Sequence, residues 1–268
     1  MKTRAITGFF FVLVMLASVL TGEKTFALFF LLLSLFCVNE FYGLVQSEDV
    51  KPHRFLGIIL AGTIFIPILV YLLTGEGLRY ILIAAPVSIV ICITELYKKS
   101  EKPFHNLAYT YFGVSYLIIP FAFFSALAFL NGSYNFHLPL GFMLLLWASD
   151  TGAYLFGVKL GKNKLFERHS PKKSWEGFFG GMFTSLLVAF ILSTRYIEIA
   201  VVHWAIMSLL IVIGGTFGDL VESMLKRSVG KKDSGSILPG HGGLLDRFDG
   251  LLFAAPLVFV YLYFTLSL

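Results

Sequence analysis

Nine apolar runs of similar length follow one another along this 268-residue chain, and they constrain its fold more than any other feature. A bilayer core about 30 Å thick needs roughly 20 apolar residues at about 1.5 Å each. Runs near that length are Ala5 to Leu20, Thr25 to Val45, Phe55 to Leu73, Tyr80 to Tyr97, Leu107 to Leu130, Leu138 to Val158, Gly177 to Thr194, Ile199 to Leu220 and Leu251 to Leu268. The alternating segments of an outer-membrane barrel are absent. The expected fold is therefore all-α, a polytopic membrane helical bundle of about nine transmembrane helices. At 57% hydrophobic and 14% charged residues, a soluble fold and a disordered chain are both excluded. Cys37 and Cys92 each sit inside an apolar run and read as packing residues, since two cysteines build no disulfide framework.

The first run follows Lys2 and Arg4, the basic start of a signal peptide, but no small-x-small cleavage site precedes Glu23, so it reads as a retained helix. Lys and Arg stay on the cytoplasmic side of short loops. Of the 21 such residues, all but Lys24, Arg79 and Arg195 fall in the N-terminus and the second, fourth, sixth and eighth connections. This predicts a cytoplasmic N-terminus and an outside C-terminus in the cell membrane. The formal charge of +5 is then a cytoplasmic layer suited to anionic lipid or polyphosphate, and it gives no reason to invoke nucleic acid.

Acidic groups inside membrane helices cost about 2.5 to 3.5 kcal/mol on insertion scales, which makes each one a candidate site. Under this topology Glu40, Glu95, Asp150, Glu176 and Asp219 all lie in the cytoplasmic halves of their helices. Carboxylates gathered at one face favour interfacial chemistry, whereas a transport path needs them across the membrane depth. Glu40 and Glu95 read equally well as side chains snorkelling near a helix end. Asp150 sits deeper, in Trp147-Ala-Ser-Asp-Thr-Gly-Ala-Tyr154. Gly157 and Gly161, Gly177 and Gly181, and Gly214 and Gly218 have the small-residue spacing that lets helices approach closely, so packing is their expected meaning.

Two cytoplasmic segments carry chemistry. The sixth connection ends in Ser170-Pro-Lys-Lys-Ser-Trp-Glu176, where Lys172, Lys173 and Ser174 stand beside the N–H groups that open the seventh helix. That arrangement suits phosphate, and equally an anionic headgroup. A P-loop is excluded because Gly152 to Gly157 is followed by Val158. In the eighth connection, Asp219, Glu222, Ser223 and Lys226 share one face if the eighth helix continues past the membrane. Gly240, Gly242 and Gly243 around His241 let the backbone approach a ligand, and Asp246 and Asp249 are expected on one helical face. Hard carboxylate oxygens in this setting suit Mg²⁺, which takes one or two carboxylates plus waters and substrate phosphates. Asp249 also reads as a cap of the ninth helix. His241, outside any H-E-x-x-H and far from cysteine, does not read as a zinc ligand.

As a string, Ser223-x-Leu-Lys-Arg227, Lys232-Asp233-x-Gly235 and Leu238-Pro-x-His-Gly-Gly-Leu-x-Asp-Arg-Phe-Asp249 resembles the signature of phosphatidate cytidylyltransferases, also called CDP-diacylglycerol synthases. Asp150 to Tyr154 and Ser170 to Glu176 resemble segments of the same family, while the first five helices resemble it only in being hydrophobic. Residues 1–137 are accordingly expected as a lipid-accessible scaffold and 138–268 as the part with the cytoplasmic-face catalytic site. The resemblance implies a multi-pass enzyme that makes CDP-diacylglycerol and pyrophosphate from CTP and phosphatidic acid with a divalent cation. It further implies Asp219 and Asp246 as metal ligands, room for a second cation, and a homodimer.

The mechanism expected on that basis is in-line attack of the lipid phosphate on the α-phosphorus of CTP, a reaction governed by positioning and charge neutralisation. Asp219 and Asp246 would hold Mg²⁺, with Asp249 as a third ligand, direct or through water. Lys226 and Arg227 would take triphosphate or lipid phosphate, while Ser223, Arg247 and the turn of His241, Gly242 and Gly243 would contact substrate. Lys172, Lys173 and Ser174 would hold polyphosphate or headgroup, and Asp150 is a candidate either for supporting the metal ligands from behind or for a second cation. His241 to Asp246 also has the H-x-x-x-x-D spacing of glycerolipid acyltransferases, but the intervening glycines and the surrounding acidic and basic residues disfavour that reading. An isoprenoid phosphate acceptor would keep the chemistry, and a transporter is disfavoured by the one-sided carboxylates.

Overall fold

A computed structural model describes residues 2–235 and 242–266. Among the described residues are the helices α1 (Lys2–Leu20), α2 (Glu23–Val45), α3 (Arg54–Thr74), α4 (Ala84–Tyr97), α5 (Pro103–Leu127), α6 (His137–Leu160), α7 (Trp175–Arg195), α8 (Val201–Ser228) and α9 (Asp249–Leu266). Eight helical segments are long and apolar enough to cross a membrane, α4 being counted from Leu78, and α1 adds the shorter apolar stretch Ile6–Leu20. The helical membrane fold read from the apolar runs is thus the observed one. The fourth crossing opens as a 3₁₀ helix, Leu78–Ile83, just before Pro86 in the first turn of α4. Proline lacks the N–H that would continue the i→i−4 ladder and crowds the carbonyl four residues back. Strands β1 (Lys164–Phe166) and β2 (Ser170–Ser174) form an antiparallel hairpin between α6 and α7.

The chain divides into two compact units, one of Met1–Tyr134 with Asp233–Arg247, the other of Asn135–Lys232 with Phe248–Leu268. Residues 233–247 therefore group with the N-terminal helices, although the sequence reading assigns them to the C-terminal part.

The first unit has an aromatic core. Phe26, Phe30, Phe121 and Phe124 are fully buried, with ring centroids 4.7 Å apart for Phe26 and Phe30 and 4.9 Å for Phe30 and Phe124. Close helix approach requires glycine at two points. A Cβ on Gly57 would lie 2.2 Å from the Tyr42 hydroxyl, and one on Gly113 would lie 2.6 Å from the Phe41 ring. Polar groups at membrane depth must be satisfied internally. Tyr42 donates to the Thr110 carbonyl at 2.7 Å, and Glu95 accepts from Asn106 Nδ2 at 2.7 Å and meets His53 Nε2 at 2.6 Å. Glu95 is 3% exposed, so it does not snorkel; it anchors a buried polar network joining the connection before α3 to α4 and α5.

In the second unit two of the three small-residue pairs lie at helix crossings, as their spacing implies. Cβ atoms on Gly177 and Gly181 of α7 would fall 2.9 Å from the Ala153 carbonyl and 2.7 Å from the Ser149 carbonyl of α6. On α8, a Cβ at Gly214 would meet Ala254 Cα at 2.7 Å, and one at Gly218 would meet the Asp249 carbonyl at 2.2 Å. The backbones of α8 and α9 touch there, which sets Asp249 against the polar face of α8.

Candidate active site

The helix α8 runs on to Ser228, so the face that begins at Asp219 is continuous. Successive turns of that face interlock: Ser223 Oγ donates to Asp219 Oδ1 at 3.1 Å, and Lys226 Nζ lies 3.3 Å from Glu222 Oε1. Lys173, on the last residues of β2, reaches the same face. Its ammonium is 2.7 Å from Asp219 Oδ2 and 3.5 Å from the Thr216 carbonyl. Asp249, the first residue of α9, accepts the N–H of Gly250 on Oδ1 at 2.7 Å and lies near the carboxylates of Glu222, Asp219 and Asp150. Glu222 is fully buried, whereas the Asp219 side chain is 38% exposed. One side of the cluster is thus sealed in protein and the other is open to a ligand.

The donor chemistry of this cluster fits a hard divalent cation, since its ligating atoms are carboxylate oxygens. Among the described residues no three His, Cys, Asp or Glu side chains stand in a metal-holding group. Lys173 and Lys226 supply positive charge beside Asp219 and Glu222. Such a cluster can exchange partners: a phosphate takes an ammonium, and a cation takes the carboxylate that the ammonium releases.

The other expected residues are placed as follows. Ser174 is the N-cap of α7, its Oγ accepting from Gly177 N at 3.2 Å, and it is buried. Its hydroxyl therefore satisfies the helix start. Glu176 accepts from the backbone N–H groups of Lys162 and Asn163, both at 3.1 Å, and so ties the turn before β1 to α7. Lys172, Arg227 and Asp150 are exposed. Asp246 lies in a short 3₁₀ turn, Leu245–Arg247, and Asp249 begins α9. They occupy separate elements, so the single helical face expected for the pair is not formed. Arg247 is exposed, and His241 lies outside the described residues.

Asp246 organises the segment around it within the first unit. Its Oδ2 accepts from Ser234 N at 3.0 Å and Gly243 N at 2.9 Å, and Gly242 turns there with φ +83°, a left-handed conformation that favours glycine. The residue whose partners sequence reasoning did not foresee is Glu40 of α2. It is 6% exposed and does not snorkel: its carboxylate accepts from Ser234 Oγ at 2.5 Å, Leu244 N at 2.9 Å and Leu245 N at 2.9 Å. The signal in the sequence is an acidic residue near the C-terminal end of a largely apolar helix.

A sequence model described as the cytidylyltransferase family matches residues 2–265. A protein named phosphatidate cytidylyltransferase from Staphylococcus epidermidis is 36% identical over 263 residues, covering 96% of this chain and 97% of the relative. Proteins of the same name from Staphylococcus haemolyticus and Staphylococcus aureus are each 35% identical, again over 96% of this chain and 97% of their own length. Spanned by the family's model and alike to these relatives along almost its whole length, the chain belongs to the cytidylyltransferase family and is an enzyme of nucleotidyl transfer.

Proposed function

We propose that this chain catalyses transfer of the cytidylyl group of CTP to phosphatidic acid at the cytoplasmic face of the membrane. A phosphate oxygen of phosphatidic acid attacks the α-phosphorus of CTP in line. A new phosphorus–oxygen bond forms, the bond from the α-phosphorus to the bridging oxygen breaks, and the products are CDP-diacylglycerol and pyrophosphate. The observation that carries this reading is the cluster of Lys173, Asp219, Glu222, Ser223 and Lys226, of which Ser223 and Lys226 belong to the motif that resembles phosphatidate cytidylyltransferases and Lys173 to the similar segment Ser170 to Glu176.

The roles follow from charge. Lys173 gives up Asp219 to take a phosphate oxygen, and Lys226 and Arg227 neutralise the triphosphate or the lipid phosphate. Ser223 turns its hydroxyl from Asp219 to phosphate. Asp219 and Asp249 are the proposed carboxylate ligands of a divalent cation, Mg²⁺ by the hardness of their oxygens, and Asp246 keeps the ligand role that the motif gives it. When bound, that cation neutralises charge on the phosphates and the departing pyrophosphate. A phosphate monoester is already nucleophilic, so no residue need act as a strong general base. Lys172 and Arg247 are both exposed, and headgroup or nucleotide is their proposed partner.

The direct test of the ligand assignment is Asp246→Asn. Turnover of CTP with phosphatidic acid is expected to vanish while the protein still inserts and elutes as wild type does. Near-native turnover in a folded Asp246→Asn sample would refute the role.

A further inference from the structure

Three donors converge on Glu40 from a part of the chain about two hundred residues away: Ser234 Oγ at 2.5 Å, and the N–H groups of Leu244 and Leu245 at 2.9 Å each. The first distance is that of a charge-assisted hydroxyl–carboxylate bond. The donors are Ser234 on one side and Leu244 and Leu245 on the other side of residues 236–241 in the chain, so one carboxylate holds both described flanks. Asp246 repeats the pattern one turn on, taking Ser234 N and Gly243 N on a single oxygen. The fit leaves no slack. A Cβ on Gly235 would stand 2.9 Å from the Glu40 carboxylate, and one on Gly243 would stand 2.2 Å from Glu40 Oε1 and 1.9 Å from Ser234 Oγ. Two glycines are thus required where the segment closes over the acid.

We infer that Glu40 is a positioning residue for the reaction: by holding Ser234, Leu244 and Leu245 from α2, it fixes the orientation of the Asp246 carboxylate. This rests on Asp246 acting at the reaction centre, as proposed above. Glu40 touches neither substrate nor metal in this scheme and acts only through the segment it binds. Partners of this kind, one step removed from a metal ligand, typically change metal affinity or activity by about 10- to 100-fold when removed.

The test compares full-length wild type with Glu40→Gln, Ser234→Ala and Asp246→Asn in detergent. It measures kcat and KM for CTP, binding of Mn²⁺ alone by paramagnetic resonance, and amide hydrogen exchange across residues 242–247. For Glu40→Gln the expectation is a fall of about 10-fold or more in both kcat and Mn²⁺ affinity. Faster exchange at Leu244 and Leu245 should accompany it, with KM for CTP little changed and helicity intact. A general weakening of the fold would not separate metal affinity from KM in this way. If Asp246→Asn loses turnover and Mn²⁺ binding while folded Glu40→Gln keeps both, the positioning role is overturned. If Asp246→Asn itself keeps both, the assignment of Asp246 fails first and takes the inference with it. Should Glu40→Gln fail to fold, Ser234→Ala carries the test by removing one donor of three. Values between wild type and Asp246→Asn support the inference, and wild-type values overturn it.

Discussion

Lys226 carries two duties that substitution can separate. Its ammonium lies 3.3 Å from Glu222, whose side chain has no exposed surface, and it is also proposed to neutralise phosphate. Removing one partner of a buried ion pair strands the other, at a cost of about 3 to 5 kcal/mol. Lys226→Ala is therefore expected to lower the melting temperature in detergent and to raise KM for CTP or phosphatidic acid. The double variant Glu222→Gln with Lys226→Met should recover the melting temperature and leave KM high. An unchanged melting temperature in Lys226→Ala would show that the pair contributes nothing to the fold, and an unchanged KM for both substrates would end the phosphate role. This pairing was legible in the sequence because helix geometry is local: residues four apart share a face. The contacts of Glu40 were not, because its partners lie 194 to 205 positions away and no local rule brings them together. The same limit applies to Asp246 and Asp249, where the change from 3₁₀ turn to α-helix at Phe248 breaks the shared face that their spacing suggests.

Among the elements, the crossing of α8 and α9 decides whether Asp249 meets Glu222 at all. A methyl group at Gly218 would need to occupy space 2.2 Å from the Asp249 carbonyl, a backbone atom that cannot swing aside. Gly218→Ala is expected to cost about 1 to 3 kcal/mol of stability through overpacking and to depress kcat by shifting Asp249. Gly43→Ala, at a position of α2 where an added Cβ meets nothing within 4 Å, should instead stabilise the helix by about 0.5 to 1 kcal/mol. Thermal melts of the two variants check this, and equal melting temperatures would contradict the crossing. Helix number and approximate bounds could be read directly, since each membrane-crossing segment needs a fixed length of apolar chain. The hairpin of β1 and β2 could not. Lys164-Leu-Phe166 and Ser170-Pro-Lys-Lys-Ser174 are short and polar and lack a strand's alternation, and the hairpin's base is tied to α7 where Glu176 accepts from Lys162 and Asn163.

For the molecule as a whole, the account requires the basic connections to face the cytoplasm, where CTP is available. In a background of Cys37→Ala and Cys92→Ala, Lys164→Cys should react with a membrane-impermeant maleimide in inside-out vesicles. Ser133→Cys, in the connection between α5 and α6, should react in right-side-out vesicles. The opposite pattern would invert the topology and remove the site from its nucleotide. The reaction itself is measured with purified protein in detergent. Phosphatidic acid is supplied with CTP, ATP, GTP or UTP, with and without Mg²⁺, and both pyrophosphate release and the lipid product are followed. The account predicts CDP-diacylglycerol and an equal amount of pyrophosphate from CTP with Mg²⁺, and neither from the other nucleotides. Turnover with an isoprenoid phosphate but not with phosphatidic acid, or no turnover of CTP by folded protein, would contradict it.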